Sequence, residues 1–145
     1  MTQEKISLLF LCTGNSCRSQ MAEGLCRELK GDKILPFSAG IETHGLHPNA
    51  VKVMGEIGID ISGHTSKTVD DIAGQAFDYV VTVCGHADET CPVFPAKTRI
   101  VHHGFDDPPR LAKDLKDEEQ ILKIYRRVRD EIKVFVQSLD ELFEE

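Results

Sequence analysis

The chain has 145 residues, 28% of them charged and 41% hydrophobic, with a net charge of −7. That length suits one domain, spanning 1–145, with a substantial core. The acidic balance argues against nucleic acid as the main partner, because a phosphate backbone is gripped by a basic face. No apolar run approaches the ~20 residues of a membrane span. No long apolar stretch follows M-T-Q-E-K, so a secretory signal is not expected and a cytoplasmic chain is. Five cysteines are many for a reducing compartment. Their odd number and wide spacing suggest reactive thiols rather than a disulfide framework.

The apolar run 6–11 reads as a buried strand that stops at Cys12. Gly14 and Asn15 then break regular structure, and a helical pattern opens at Ser19 and runs to about residue 29. Residues 30–32 form a turn, 34–39 a short strand and 40–48 a loop. Pro48 stands where a helix can begin, and a helix is expected over 49–57, ended by Gly58. Residues 60–68 are irregular, and 69–75 read as a short helix weakened by Gly74. Strands are expected over 77–83 and 98–102, and 104–112 is a loop rich in Asp and Pro. Asp117 caps a final helix, with Gln120 three residues on. Its apolar stripe is Ile121, Tyr125, Val128, Ile132, Phe135, Leu139 and Leu142, a helical repeat best used against the sheet. Strands alternating with helices predict an α/β fold with a small parallel four-stranded sheet flanked by helices. Ligands in such sheets bind beyond the carboxyl ends of the strands. Cys12, Cys84 and the Asp-Pro loop all follow strand ends.

Strand, tight loop and helix start together make an anion site. The helix start offers N–H groups without partners and a positive partial charge. A loop with Gly14 and a left-handed Asn15 turns its own N–H groups inward. Arg18 adds a planar fork for two oxygens of a tetrahedral oxyanion. That field favours the Cys12 thiolate, a nucleophile beneath the bound anion, and Ser19 can donate a hydrogen bond to its sulfur. The oxyanion loop is thus Thr13, Gly14, Asn15, Ser16, Cys17, Arg18 and Ser19. Ser16 shapes the loop, and Cys17 and Cys26 read as spectators, Cys26 facing the core. The histidines form no metal-ligand spacing. A zinc site from Cys84, His86, Cys91 and His102 or His103 lacks the tight paired cysteines such sites use, so no metal is assigned.

C-T-G-N-S-C-R-S-Q-M-A-E-G resembles the phosphate-binding loop of the low-molecular-weight tyrosine phosphatase fold. More narrowly, it resembles the thioredoxin-coupled arsenate reductases built on that fold. The likeness extends over S-A-G-I-E-T-H-G at 38–45, G-I-D-I-S at 58–62, V-T-V-C-G at 81–85, C-P at 91–92 and G-F-D-D-P at 104–108. The resemblance implies a three-thiol relay for arsenate reduction. Cys12 attacks arsenate held by the loop and Arg18, and Asp107, the Asp directly before Pro, protonates the leaving oxygen. Cys84 then attacks Cys12, releasing arsenite, and Cys91 attacks Cys84. The resulting Cys84–Cys91 disulfide is reduced by thioredoxin, with no tightly bound cofactor. Seven helical positions would hold those backbones about 10.5 Å apart, whereas a disulfide needs Cα atoms within roughly 7 Å. Bond formation should therefore unwind or loop out that segment, with Gly85 as hinge. Phosphate and sulfate are expected competitors, and a monomer is expected.

Some relatives of this kind hold a potassium ion beside the loop. Asn15, Glu23 and Thr65 match that site, but Lys67 stands where an Asp is expected. An ammonium there replaces or repels the ion, so little potassium dependence is expected. Two rival readings remain at this point. A phosphatase would use the same loop through a phosphocysteine, but Gln20 replaces the Pro of such enzymes, and Cys84 and Cys91 would have no purpose. A thiol sensor binding arsenite would need no anion cradle, since arsenite is uncharged at neutral pH.

Overall fold

The computed structural model describes residues 5–72, 74–85 and 91–143. The strands are β1 (Ile6–Cys12), β2 (Ile34–Gly40), β3 (Tyr79–Thr82) and β4 (Arg99–His102). They form one parallel sheet in the order β2-β1-β3-β4. β1 lies inside the sheet, and Leu8, Leu9, Phe10 and Leu11 are fully buried. A strand covered on both faces needs such an uninterrupted apolar run, which is why 6–11 does not alternate. β4 is an edge strand, and Ile100 on it is half exposed.

Among the described residues the helices are α1 (Arg18–Lys30), α2 (Pro48–Glu56), α3 (Pro108–Leu111), α4 (Glu118–Gln137) and α5 (Asp140–Phe143). α1 buries Met21, Ala22, Leu25 and Cys26 and packs against α4, which buries Leu122, Tyr125, Val128, Ile132, Phe135 and Val136. Asp117 caps α4 by accepting from the Glu119 N–H at 3.1 Å. Gly58, with φ of 80°, follows the C-cap of α2. His47 caps the other end of α2. Its Nδ1 accepts from the Asn49 N–H at 3.1 Å, and its Nε2 meets the Tyr125 hydroxyl at 3.2 Å.

Four expectations are corrected. Among the described residues of 69–75 there is a 3-10 turn, Asp70–Ile72, in place of an α-helix, closed by reciprocal bonds between Thr68 and Asp71. The ladder of β3 is shorter than 77–83, although Phe77 and Val83 are buried beyond its ends. The 104–112 loop contains α3, with prolines pre-set for its first turn. The final stripe is continuous but its helix is not. Ser138 returns its hydroxyl to the Phe135 carbonyl at 2.7 Å and ends α4, while Leu139 stays fully buried.

Ile132→Ala, at a fully buried position, should cost about 2–5 kcal/mol in urea unfolding, whereas Val134→Ala, at 66% exposure, should change stability by less than about 0.5 kcal/mol. Burial pushes the His47 pKa below its ordinary value, against the opposing pull of Asp107. Tyr125, Cys12, Cys17, Arg18, His44 and Asp107 are the titratable or charged groups near it among the described residues. An unfolded His47 then binds a proton at higher pH than the folded one. The stability due to its neutral form is complete above about pH 6.5 and is lost as pH falls through that value. His47→Asn keeps a capping acceptor without the titration, so it should flatten the fall in thermal midpoint between about pH 7 and 5.5.

Candidate active site

Cys12 ends β1 and Arg18 opens α1, so the loop between them lies at the carboxyl edge of the sheet. Its carbonyls are taken by donors from other segments. Cys12 O accepts from the Ile41 N–H (3.1 Å), Thr13 O from Glu42 (2.9 Å), Gly14 O from His44 (2.9 Å) and Ser16 O from His47 (2.9 Å). Asn15 O accepts from the Gln20 amide at 3.1 Å. A trans peptide is planar and its C=O and following N–H point in opposite directions. Pinning these carbonyls outward therefore turns the N–H groups of residues 13–17 inward. The Asn15 N–H lies on that inner side, 3.3 Å from Cys12 Sγ. Asn15 has φ of 48°, alone in positive φ among the described non-glycine residues. Gly40 makes the close approach possible, since a Cβ there would stand 2.7 Å from Thr13 O and 2.8 Å from Asn15 N.

Ser19 Oγ is 2.8 Å from Cys12 Sγ, as expected for a hydroxyl donor to the sulfur. Arg18 is held on one side by the Phe105 carbonyl, 3.0 Å from Nη1, and its Nη2 lies 3.7 Å from Asp107 Oδ1. The two adjacent acids separate cleanly. Asp106 pairs with Arg127 at 3.0 Å, whereas Asp107 faces the cavity over the loop. That cavity, about 330 Å³, is lined by Cys12, Thr13, Gly14, Ser16, Cys17, Arg18, His44, His47, Asp107 and Pro109. A larger apolar groove of about 570 Å³, between His103, Phe105 and Phe135, is lined by no cysteine or arginine.

All five cysteines are thiols, with no disulfide. Cys84 Sγ is 3.3 Å from the hydroxyl of Thr13, the neighbour of Cys12. Cys91 is partly buried against the core. Residues 86–90, between the two cysteines and including His86, lie outside the described residues. Among the described residues, no group of three or more His, Cys, Asp or Glu side chains is placed to hold a metal. Burial pushes the Cys17 thiol far up and the Cys26 thiol up to about 12, so both stay protonated at neutral pH.

The three residues matched to a cation site do converge, and Lys67 lies among them. Its Nζ is 3.2 Å from the Thr65 carbonyl and 3.9 Å from Glu23 Oε1, and its N–H bonds Asn15 Oδ1 at 2.9 Å. Sequence reasoning placed none of His44, His47, Gln20 or Tyr125 in the site: Tyr125 read as part of the apolar stripe and Gln20 as a departure from a phosphatase pattern. His44 lies in the 38–45 stretch quoted for its resemblance, and His47 lies two residues beyond it. Their backbone donors explain why that stretch accompanies the loop.

Residues 7–145 match the family described as low molecular weight phosphotyrosine protein phosphatase. A Halalkalibacterium halodurans protein named arsenate reductase is 56% identical over 125 residues, covering 86% of this chain and 88% of that protein. A solved arsenate reductase in its oxidised state is 32% identical with a TM-score of 0.76, covering 92% of this chain and 95% of that one. A thioredoxin-dependent arsenate reductase from Corynebacterium glutamicum is 26% identical with a TM-score of 0.68, covering 97% of this chain and 64% of that one. The expected fold is therefore the observed one, and the chain belongs to the low molecular weight phosphotyrosine protein phosphatase family.

Proposed function

We propose that the chain reduces arsenate to arsenite by a three-thiol relay. The Cys12 thiolate attacks arsenic(V) in the loop, and Asp107 protonates the oxygen that leaves as water. Inward N–H groups and the Arg18 guanidinium carry the anion's charge. The Cys84 thiolate attacks Cys12 Sγ, a disulfide forms, and the electron pair of the sulfur–arsenic bond stays on arsenic, which leaves as arsenite. Cys91 attacks Cys84, freeing the Cys12 thiolate and leaving a Cys84–Cys91 disulfide. The dithiol of thioredoxin returns two electrons and two protons, so no tightly bound cofactor is needed. The reaction fits a monomer in the cytoplasm.

The observation that carries this reading is a second cysteine beside the anion loop, with Cys84 in contact with Thr13. The names of the relatives point the same way. A phosphate monoesterase with the same loop is the alternative. Among the described residues lining the cavity there is no Phe, Tyr or Trp, so an aryl phosphate would have no ring to stack on. The Lys67 ammonium beside Glu23 and Thr65 supplies positive charge where a monovalent cation would otherwise sit.

The test is arsenate-dependent NADPH consumption with thioredoxin and thioredoxin reductase, run in potassium and in sodium salts. Cys12→Ser, Cys84→Ser and Cys91→Ser should each abolish turnover. Asp107→Asn should lower kcat by about 10²-fold or more. Rates in the two salts should agree. Sustained turnover by Cys84→Ser or Cys91→Ser would contradict the relay, and a steep rise with potassium would contradict the role given to Lys67.

A further inference from the structure

Behind the loop, buried amides form a chain of hydrogen bonds whose direction can be derived atom by atom. The Lys67 N–H is a backbone donor and meets Asn15 Oδ1 at 2.9 Å, so that atom is the amide oxygen. Asn15 Nδ2 therefore faces Ser19 Oγ at 2.9 Å and donates to it. A hydroxyl that receives this bond has its single proton left for Cys12 Sγ, 2.8 Å away. Gln20, fully buried, sits one step further back. Its Nε2 faces Asn15 Oδ1 (2.9 Å), Asn15 O (3.1 Å) and Thr65 O (3.0 Å). The reverse orientation would set its oxygen against three acceptors. Gln20 Oε1 then accepts from His64 Nδ1 at 2.9 Å, and His64 Nε2 accepts from Arg27 at 3.0 Å. Along the path Arg27, His64, Gln20, Asn15 Oδ1, Asn15 Nδ2, Ser19, each donor faces the next group toward the sulfur, and aligned bonds of this kind polarise one another.

We propose that Gln20 is a positioning residue for the Cys12 nucleophile: it holds the Asn15 amide in the one orientation that makes Ser19 a donor to the sulfur, and His64 holds Gln20. This deepens the reading of Cys12 as nucleophile and rests on it. The titratable or charged groups around Cys12 are Arg18, Asp107, His44, His47, Cys17 and Cys84; those around His64 are Glu23, Arg27, Lys67 and Asp60. Gln20→Met leaves all of them in place.

The experiment follows alkylation of Cys12 by iodoacetamide against pH, read by mass spectrometry of its peptide, in full-length protein without arsenate. Gln20→Met should move the midpoint up by about one pH unit, roughly tenfold less thiolate below the midpoint. In a Ser19→Ala background the same substitution should change it by less than about twofold, because the last link is gone. His64→Leu should give a smaller upward shift, also absent in Ser19→Ala, and it stands in if Gln20→Met fails to hold a native thermal midpoint. An unchanged midpoint, or an equal shift with and without Ser19, overturns the proposal. These shifts in the variants, together with no arsenate turnover by the wild-type chain, would keep this inference and remove the reductase reading.

Discussion

The outward pinning of the loop carbonyls is the constraint on which the site depends. Five successive carbonyls, from Cys12 to Ser16, are bonded to donors outside the loop. Four of those donors are backbone N–H groups just after β2. The register of β2 on β1, with Cys12 opposite Gly40, brings them alongside. Gly40 lets the two backbones approach without a side chain between them. A slip of one residue in that register would present the wrong face of each peptide and turn the buried side chains of β2 outward, and the anion cradle would be lost.

The same arrangement sorts the thiols. Cys12 and Cys84 sit at the carboxyl ends of neighbouring strands, β1 and β3, and the hydroxyl of Thr13, next to Cys12 in the chain, lies 3.3 Å from Cys84 Sγ. Cys17 and Cys26 are buried where desolvation opposes the thiolate. Exchange proceeds through thiolates, so burial keeps those two out of a relay even though Cys17 lines the cavity. Arg18 serves two ends of this geometry. It is the first residue of α1 and is tied to Phe105 and Asp107, so the oxyanion loop and the acid-bearing loop are set relative to each other by one side chain.

Local pattern made much of this legible. Cys12 to Arg18 is a continuous strand–loop–helix unit, and its apolar run, its breakers and its helix start all lie within twenty residues. The final helix was legible for the same reason, except for its break at Ser138, where a single hydroxyl outweighs a stripe that stays buried. Long-range bonding was not legible. Arg127 draws Asp106 away and leaves Asp107 to the cavity, yet nothing near the two acids announces that partner. Gln20 read only as a departure from a phosphatase pattern, because its partners Thr65 and His64 are far along the chain. His47 carries no ligand spacing, and its position over the cavity comes from its place at the start of α2.

The relay makes one chemical demand that a phosphatase or an arsenite-binding protein does not share. Electrons for the first turnover come from the chain itself. The direct measurement is a single turnover with fully reduced protein and excess arsenate, without oxygen and without thioredoxin. Arsenite is quantified, and disulfides are mapped by mass spectrometry after acid quenching. The account predicts about one arsenite per chain, a Cys84–Cys91 disulfide, and Cys17 and Cys26 still as thiols. Arsenite formed without that disulfide, or no arsenite from an intact reduced chain, would contradict it.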